Sequence, residues 1–280
     1  MNTLISTDML AANLANPSVV VVDCRFKLDE AAWGGREYAA GHVPGAVYAH
    51  LDRDLSGPKT GTNGRHPLPD PQILARTFGA LGIAGGTQVV AYDQDNGAFA
   101  SRLWWLLRWL GHNGIAVLDG GFAKWIAEGR PTAGGAEQQT KRTFIGSPRA
   151  NMVVGAQDVE ECLGGSSWCL ADARAPERYR GDTEPLDNVA GHIPSAINLF
   201  FRGNLTESGT FHRPAELRER FQEALRSTPP ERVICYCGSG VTACHNLLAL
   251  EHAGLRGAKL YPGSWSEWSS DPSRPIEKSG

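Results

Sequence analysis

Arg232-Val233-Ile234-Cys235-Tyr236-Cys237-Gly238-Ser239-Gly240-Val241-Thr242-Ala243 continues without a break into Cys244-His245-Asn246-Leu247-Leu248. Val233, Ile234 and Tyr236 make an apolar run that reads as a short buried strand. Gly238 and Gly240 then allow backbone angles that a side chain forbids. From Thr242 to Leu250 the apolar content is that of a helix packed on a sheet. Cys237 thus falls where a strand ends, in a small loop whose amides face inward above a helix N-terminus. Unsatisfied N–H groups and the helix dipole collect there, favouring an anion and hence the thiolate over the thiol. A cysteine held in this way becomes a nucleophile. The competing reading is a buried structural cysteine acting as a small hydrophobe.

The length of 280 residues exceeds one modest core and suits two domains. An apolar fraction of 41% and a charged fraction of 20% are those of an ordinary globular chain. The net charge of −3 gives no support to a nucleic acid or an anionic membrane as partner, so an anionic substrate must be drawn by local charge. The six cysteines (Cys24, Cys162, Cys169, Cys235, Cys237, Cys244) form no C-x-x-C pair, which points away from a zinc site and a disulfide framework; no metal or cofactor is expected. Cys235 reads as packing, with a second possibility that its thiol resolves an oxidised Cys237. Met1 to Asp8 lacks the basic start and apolar core of a signal peptide, and no run approaches a bilayer span, so a cytoplasmic protein is expected.

Elsewhere in the chain the same pattern occurs twice. Ser6-Thr7-Asp8 is suited to capping a short helix through Leu14. Val19 to Val22, ending in Asp23-Cys24-Arg25, reads as a central parallel strand, and Gln88 to Asp93 as another. Pro71 to Leu81 and Phe99 to Leu110 read as helices. Asp23-Cys24-Arg25 is answered by Asp172-Ala173-Arg174, and Gly41-His42-Val43-Pro44 by Gly191-His192-Ile193-Pro194. The strand end at Asp93 is answered by Cys237, and Gly120 to Trp125 by Gly263 to Trp268. Strands alternating with helices, in an order that repeats, predict an α/β chain with two parallel sheets, each flanked by helices. The expected boundaries are 1–128, a linker over 129–150 rich in Gly, Pro, Thr and Gln, and 151–280.

Cys237-Gly238-Ser239-Gly240-Val241-Thr242 resembles the active-site loop of the mercaptopyruvate sulfurtransferases, within the rhodanese family, and the tandem layout is similar to that family along nearly the whole chain. The resemblance implies two rhodanese-like domains, the first inactive with Asp93 at the cysteine position, the second catalytic. It also implies ping-pong transfer of sulfur from 3-mercaptopyruvate or thiosulfate, through a Cys237 persulfide, to a thiol such as thioredoxin or glutathione, or to cyanide. The loop amides of Gly238, Gly240, Val241 and Thr242 would then face the negative sulfur. By the same resemblance Ser239, His66 and Asp52 match a proton relay, and Arg178 matches the arginine that grips the donor's anionic group. Asp52 as a loop cap and His66 as a solvated loop residue are the competing readings. Arg174 with Asp172, and Arg25 with Asp23, read as braces of the fold. One departure stands out: mercaptopyruvate enzymes carry a further arginine where this chain has Leu186, so half of a carboxylate clamp is missing unless Arg180 or Arg202 replaces it. Against thiosulfate as the main donor, Gly238 and Ser239 stand where thiosulfate-specific relatives place basic residues.

Two other classes compete. A Cys-x5-Arg phosphatase needs an arginine six residues past the nucleophile, where this chain has Ala243. A non-catalytic binding module has no use for a retained cysteine. His42 and His192 occupy equivalent turns and His245 lies within a helix, so all three read as structural. Trp265, just past Gly263-Ser264, is suited either to the core or to the pocket mouth.

Overall fold

A computed structural model describes residues 3–165 and 167–279, which form two compact units. The first holds β1 (Leu4–Ile5), α1 (Thr7–Ala11), β2 (Val19–Asp23), α2 (Trp33–Ala40), β3 (Val47–Tyr48) and α3 (Leu51–Asp54). It continues with α4 (Pro71–Ala80), β4 (Gln88–Tyr92), α5 (Ala100–Trp109), β5 (Ile115–Leu118) and α6 (Gly121–Ala127). Its five strands are all parallel, in the order β1-β5-β4-β2-β3. The central strands β2 and β4 pair Val20 with Val89 and Val22 with Ala91. Both are unbroken apolar runs because helices cover each face of the sheet.

The second unit holds α7 (Ala156–Cys162), β6 (Cys169–Asp172), α8 (Pro176–Arg180), β7 (Ile197–Asn198) and α9 (Pro214–Leu225). It ends with β8 (Val233–Tyr236), α10 (Ala243–His252), β9 (Lys259–Leu260) and α11 (Ser264–Trp268). Its four strands run parallel in the order β7-β6-β8-β9, so β8 lies centrally with its carboxyl end at Cys237. Val159, Ile193, Ile234, Tyr236, Trp265 and Trp268 pack into one core. Leu10, Val21, Val90, Tyr92, Leu118 and Trp125 do so in the first unit.

The duplication extends to individual hydrogen bonds. Arg25 forks onto Asp23 at 2.7 Å and donates to Gly41 O at 2.6 Å, while Tyr92 donates to Asp23 at 2.7 Å. Arg174 forks onto Asp172 at 2.7 Å and donates to Gly191 O at 2.7 Å. His42 stacks on Tyr38 and bonds its carbonyl at 2.7 Å; His192 does the same with Tyr179 at 2.8 Å. These buried pairs and histidines are braces, as their presence in both copies suggested.

The units do not follow a single cut in the sequence. Residues 58–68 belong with the second unit and 207–211 with the first. Of the expected linker over 129–150, residues 129–149 pack on the first unit. Phe144 is buried edge-on against Phe78, Arg142 N–H donates to Gly79 O at 2.9 Å, and Ala133 bridges to His42. Their polar composition concealed a single anchoring aromatic. Among the described residues no helix is long and apolar enough to cross a membrane.

Candidate active site

Cys237 leaves the end of β8 and is almost fully buried. Its amide donates to Ser264 Oγ at 3.1 Å, and Ser264 Oγ–H donates to Tyr261 O at 2.9 Å. Its carbonyl accepts from Trp265 N–H at 3.0 Å, and that of Gly238 from Ser266 N–H at 2.9 Å. The start of α11 thus fixes both residues. Ser264 adopts φ +55, a left-handed conformation rare for a residue with a side chain. Its counterpart in the first unit is Gly121, with φ +59.

The loop turns at Gly240, where φ is +76 and a β-carbon would lie 2.4 Å from Pro262 O; no other residue fits. Val241 and Thr242 then enter α10, whose first turn has no side-chain cap. Such an end presents backbone donors and the positive end of the dipole to whatever occupies the loop.

The first unit shows what this stereochemistry holds. Asp93, fully buried, stands at the equivalent strand end before α5. Its carboxylate accepts from the amides of Phe99 at 2.7 Å, Gly97 at 2.9 Å, Ala100 at 3.1 Å and Asp95 at 3.3 Å. Burial still pushes the Asp93 carboxyl up, against the pull of those amides. A strand–loop–helix turn of this kind therefore gathers amides around one small acidic group.

Ser239 and His66 meet in the second unit. His66 Nδ1 lies 2.7 Å from Ser239 Oγ, and both side chains are buried. The solvated-loop reading of His66 does not hold, because residues 58–68 fold against the second unit and bury the ring. Asp52 lies half-buried on α3 of the first unit; there the capping group is His50, whose Nδ1 accepts from Asp52 N–H at 3.1 Å.

Arg178, on α8, bonds Glu184 through Nη2 at 2.6 Å and Nε at 3.2 Å. Glu184 is itself buried and also takes Arg174 Nη1 at 3.2 Å. A β-carbon on Gly238 would lie 3.4 and 3.5 Å from the Arg178 Nη atoms and 2.8 Å from Arg65 Nη2. Two guanidinium groups thus hang over the residue next to Cys237. Neither arginine considered as a replacement at position 186 fills that place: Arg180 pairs with Asp182 at the surface, Arg202 is exposed, and Leu186 is itself exposed.

Three residues with competing readings find their places here. Trp265 does not line a pocket mouth; it is fully buried, stacks under the Arg174 guanidinium and donates to Val189 O at 2.8 Å. Cys235 is a packing residue whose thiol is pushed well up by burial, with Cys169, Cys244 and Cys237 adding to it. His245 is buried in α10 with Nδ1 3.1 Å from Asn204 Nδ2. Sequence reasoning missed Arg65 and Ser264. The repeat offered a signal for Ser264, which falls where the first copy has a glycine; for Arg65 the only signal was its place directly before His66.

The Rhodanese-like domain family matches residues 6–128 and 155–271. A Pseudomonas aeruginosa protein named "Probable 3-mercaptopyruvate sulfurtransferase" is 48% identical over 275 residues, 98% of this chain and 97% of that one. The thiosulfate sulfurtransferase of Cricetulus griseus is 35% identical over 277 residues, 95% of this chain and 91% of its own. The solved structure of 3-mercaptopyruvate sulfurtransferase from Leishmania major superposes with a TM-score of 0.83 at 30% identity, covering 96% of this chain and 74% of that one. With matched order in both units, a cysteine loop in one and an aspartate in the other, the chain belongs to the rhodanese family of sulfurtransferases.

Proposed function

We propose that the chain transfers sulfur from 3-mercaptopyruvate to a thiol acceptor through a persulfide on Cys237. The observation that carries this reading is the 2.7 Å contact between His66 and Ser239, two residues past Cys237, in a loop with no basic side chain of its own. A donor that is both a thiol and a ketone needs protons moved beside the attacked sulfur, and a buried Ser–His pair is suited to that task. Thiosulfate, which gives up its outer sulfur and leaves as sulfite with no carbon to protonate, has no such need.

In the first half-reaction the Cys237 thiolate attacks the donor sulfur. The S–S bond forms as the carbon–sulfur bond breaks, and the electron pair passes into the enolate of pyruvate. His66, through Ser239, takes the proton of the donor thiol and returns it to the enolate carbon, so that pyruvate leaves and the outer sulfur stays negative. Donors at the start of α10 and around the loop hold the negative sulfur. In the second half-reaction an acceptor thiolate, such as that of glutathione or thioredoxin, or cyanide, takes the outer sulfur and returns the Cys237 thiolate. Arg178 holds the donor's carboxylate with its planar fork.

The test pairs mass spectrometry with kinetics. Incubation with 3-mercaptopyruvate is expected to add one sulfur atom to the peptide bearing Cys237, and Cys237→Ser to abolish both adduct and turnover. The wild type is expected to prefer 3-mercaptopyruvate to thiosulfate by at least roughly tenfold in kcat/KM. A reversed ratio would move the assignment to thiosulfate, and an absent adduct would end it.

A further inference from the structure

Ser264 holds a conformation that no other buried side chain adopts among the described residues. Apart from glycines, positive φ occurs there at Ser195, Arg226 and Ser264. Ser195 and Arg226 lie exposed in turns, whereas Ser264 is fully buried. The left-handed region disfavours any residue with a β-carbon, and strain of this kind persists only where the surroundings impose it. Gly121 holds the matching place in the first unit, at φ +59. A β-carbon on Gly121 would lie 2.9 Å from Asp93 O and 3.0 Å from Asp95 N, so a side chain there would force that turn open. The second unit accommodates one beside its cysteine.

What that side chain does follows from the strand ladder. β8 and β9 pair in parallel, with Ile234 opposite Lys259 and Cys235 opposite Leu260. Tyr261 N–H donates to Cys235 O at 3.0 Å. In an evenly spaced parallel ladder the next bond would run from Cys237 N–H to Tyr261 O. The Ser264 hydroxyl stands within that bond instead. Cys237 N–H donates to Ser264 Oγ at 3.1 Å, and Ser264 Oγ–H donates to Tyr261 O at 2.9 Å. An oxygen atom is thus interposed between the two strand ends while both buried backbone groups stay satisfied. The ladder opens at the residue that bears the thiol. Two further bonds pin the opened end, from Trp265 N–H to Cys237 O at 3.0 Å and from Ser266 N–H to Gly238 O at 2.9 Å. The first unit makes the same two pins, from Phe122 N–H to Asp93 O and from Ala123 N–H to Gln94 O, both at 2.9 Å. Its glycine has no hydroxyl to interpose.

We propose that Ser264 is a positioning residue for the nucleophile. Its hydroxyl wedges the carboxyl end of β8 from β9 and so sets Cys237 in its loop before α10, and the left-handed backbone is the conformation that brings the hydroxyl there. This rests on the reading of Cys237 as the residue that receives sulfur, but it can be tested without sulfur transfer. Because the wedge acts on the cysteine backbone and touches no donor group, its loss should appear in kcat rather than in KM.

Ser264→Gly installs the residue of the first unit. It relieves the left-handed strain and lets Cys237 N–H close directly onto Tyr261 O, so the melting temperature is expected to stay within about 3 °C of the wild type. With 3-mercaptopyruvate the same variant is expected to lower kcat about thirtyfold and to move KM less than about threefold, since a displacement on the order of 1 Å suffices for such a loss. Alkylation of Cys237 by iodoacetamide, followed at the peptide level, is expected to slow about tenfold. Ser264→Ala keeps the strain and loses the hydroxyl, so it is expected to lower kcat similarly and the melting temperature by at least about 4 °C. Wild-type kcat and alkylation rate in Ser264→Gly overturn the proposal, because the serine then only fills space. A melting temperature lowered as far in Ser264→Gly as in Ser264→Ala, or a Ser264→Gly chain that does not fold, overturns it too, because the hydroxyl is then a brace of the sheet. So does a raised KM with kcat unchanged. Wild type that alkylates faster than Ser264→Gly but gains no sulfur from the donor leaves the wedge in place and rejects the mercaptopyruvate reading instead.

Discussion

Replacing Asp93 with alanine empties the amide cradle of the first unit. Three backbone donors, those of Phe99, Gly97 and Ala100, lie within 3.1 Å of the carboxylate and would lose their acceptor in a fully buried setting. Each orphaned donor costs about 1 kcal/mol or more, so the gross loss is at least about 3 kcal/mol. Relief of the buried charge returns part of this, and the net expectation is a loss of about 2–4 kcal/mol. For a unit of this size that lowers the melting temperature by roughly 5–10 °C. The sharper expectation concerns rescue. Sulfate or thiosulfate should bind the vacated amides and raise the melting temperature of Asp93→Ala with a saturable concentration dependence that the wild type lacks. Calorimetry across a sulfate series at constant ionic strength makes the measurement. A loss below about 0.5 kcal/mol, with the same sulfate response in both proteins, would show that the turn does not hold an anion. It would also remove the stereochemical argument for a stabilised sulfur at Cys237.

The Ser239–His66 contact should behave as one unit: Ser239→Ala and His66→Gln are each expected to lower kcat/KM about a hundredfold, and the double variant little further, read by a double-mutant cycle. Gly240→Ala forces a side chain into φ +76 and onto Pro262 O, and is expected to cost at least about 2 kcal/mol in urea unfolding and to abolish transfer. The pH response of Asp93 has a definite sign. Its folded-state pKa lies above the ordinary value, so the folded form binds the proton more tightly; the stabilisation this gives is complete below the unfolded pKa of about 3.9 and lost as pH rises through the folded value. Stability of wild type relative to Asp93→Asn should therefore increase as pH falls from neutrality towards that window, and a difference that is flat or reversed contradicts the shift.

The local reading of the chain worked where a pattern reports on its own neighbourhood. Val233 to Tyr236 is a buried strand because four apolar side chains in a row need cover on both faces. The step from Tyr236 through two glycines into α10 follows from what those glycines permit. The repeat added distance information, since Asp93 and Cys237 could be matched only by order along two similar halves. Arg65 shows where such reasoning stops. It lies in a stretch of Gly, Thr, Lys and Asn with no period, and its place over Gly238 depends on a segment folding against strands far later in the chain. Residues 129–149 show the same limit: composition reports solvation on average and overlooks the one phenylalanine that anchors them. Trp265 was ambiguous for another reason, because a tryptophan beside a catalytic loop serves equally well as wall or as filling.

Because residues 58–68 complete the second unit and 207–211 the first, the two repeats cannot be separated by one cut in the chain. A gene split between them would yield a carboxyl-terminal fragment with its cysteine loop intact but without His66 and Arg65. The copy that has Asp93 in the cysteine's place is therefore not dispensable to the other, because residues 58–68 of its sequence belong to the second unit.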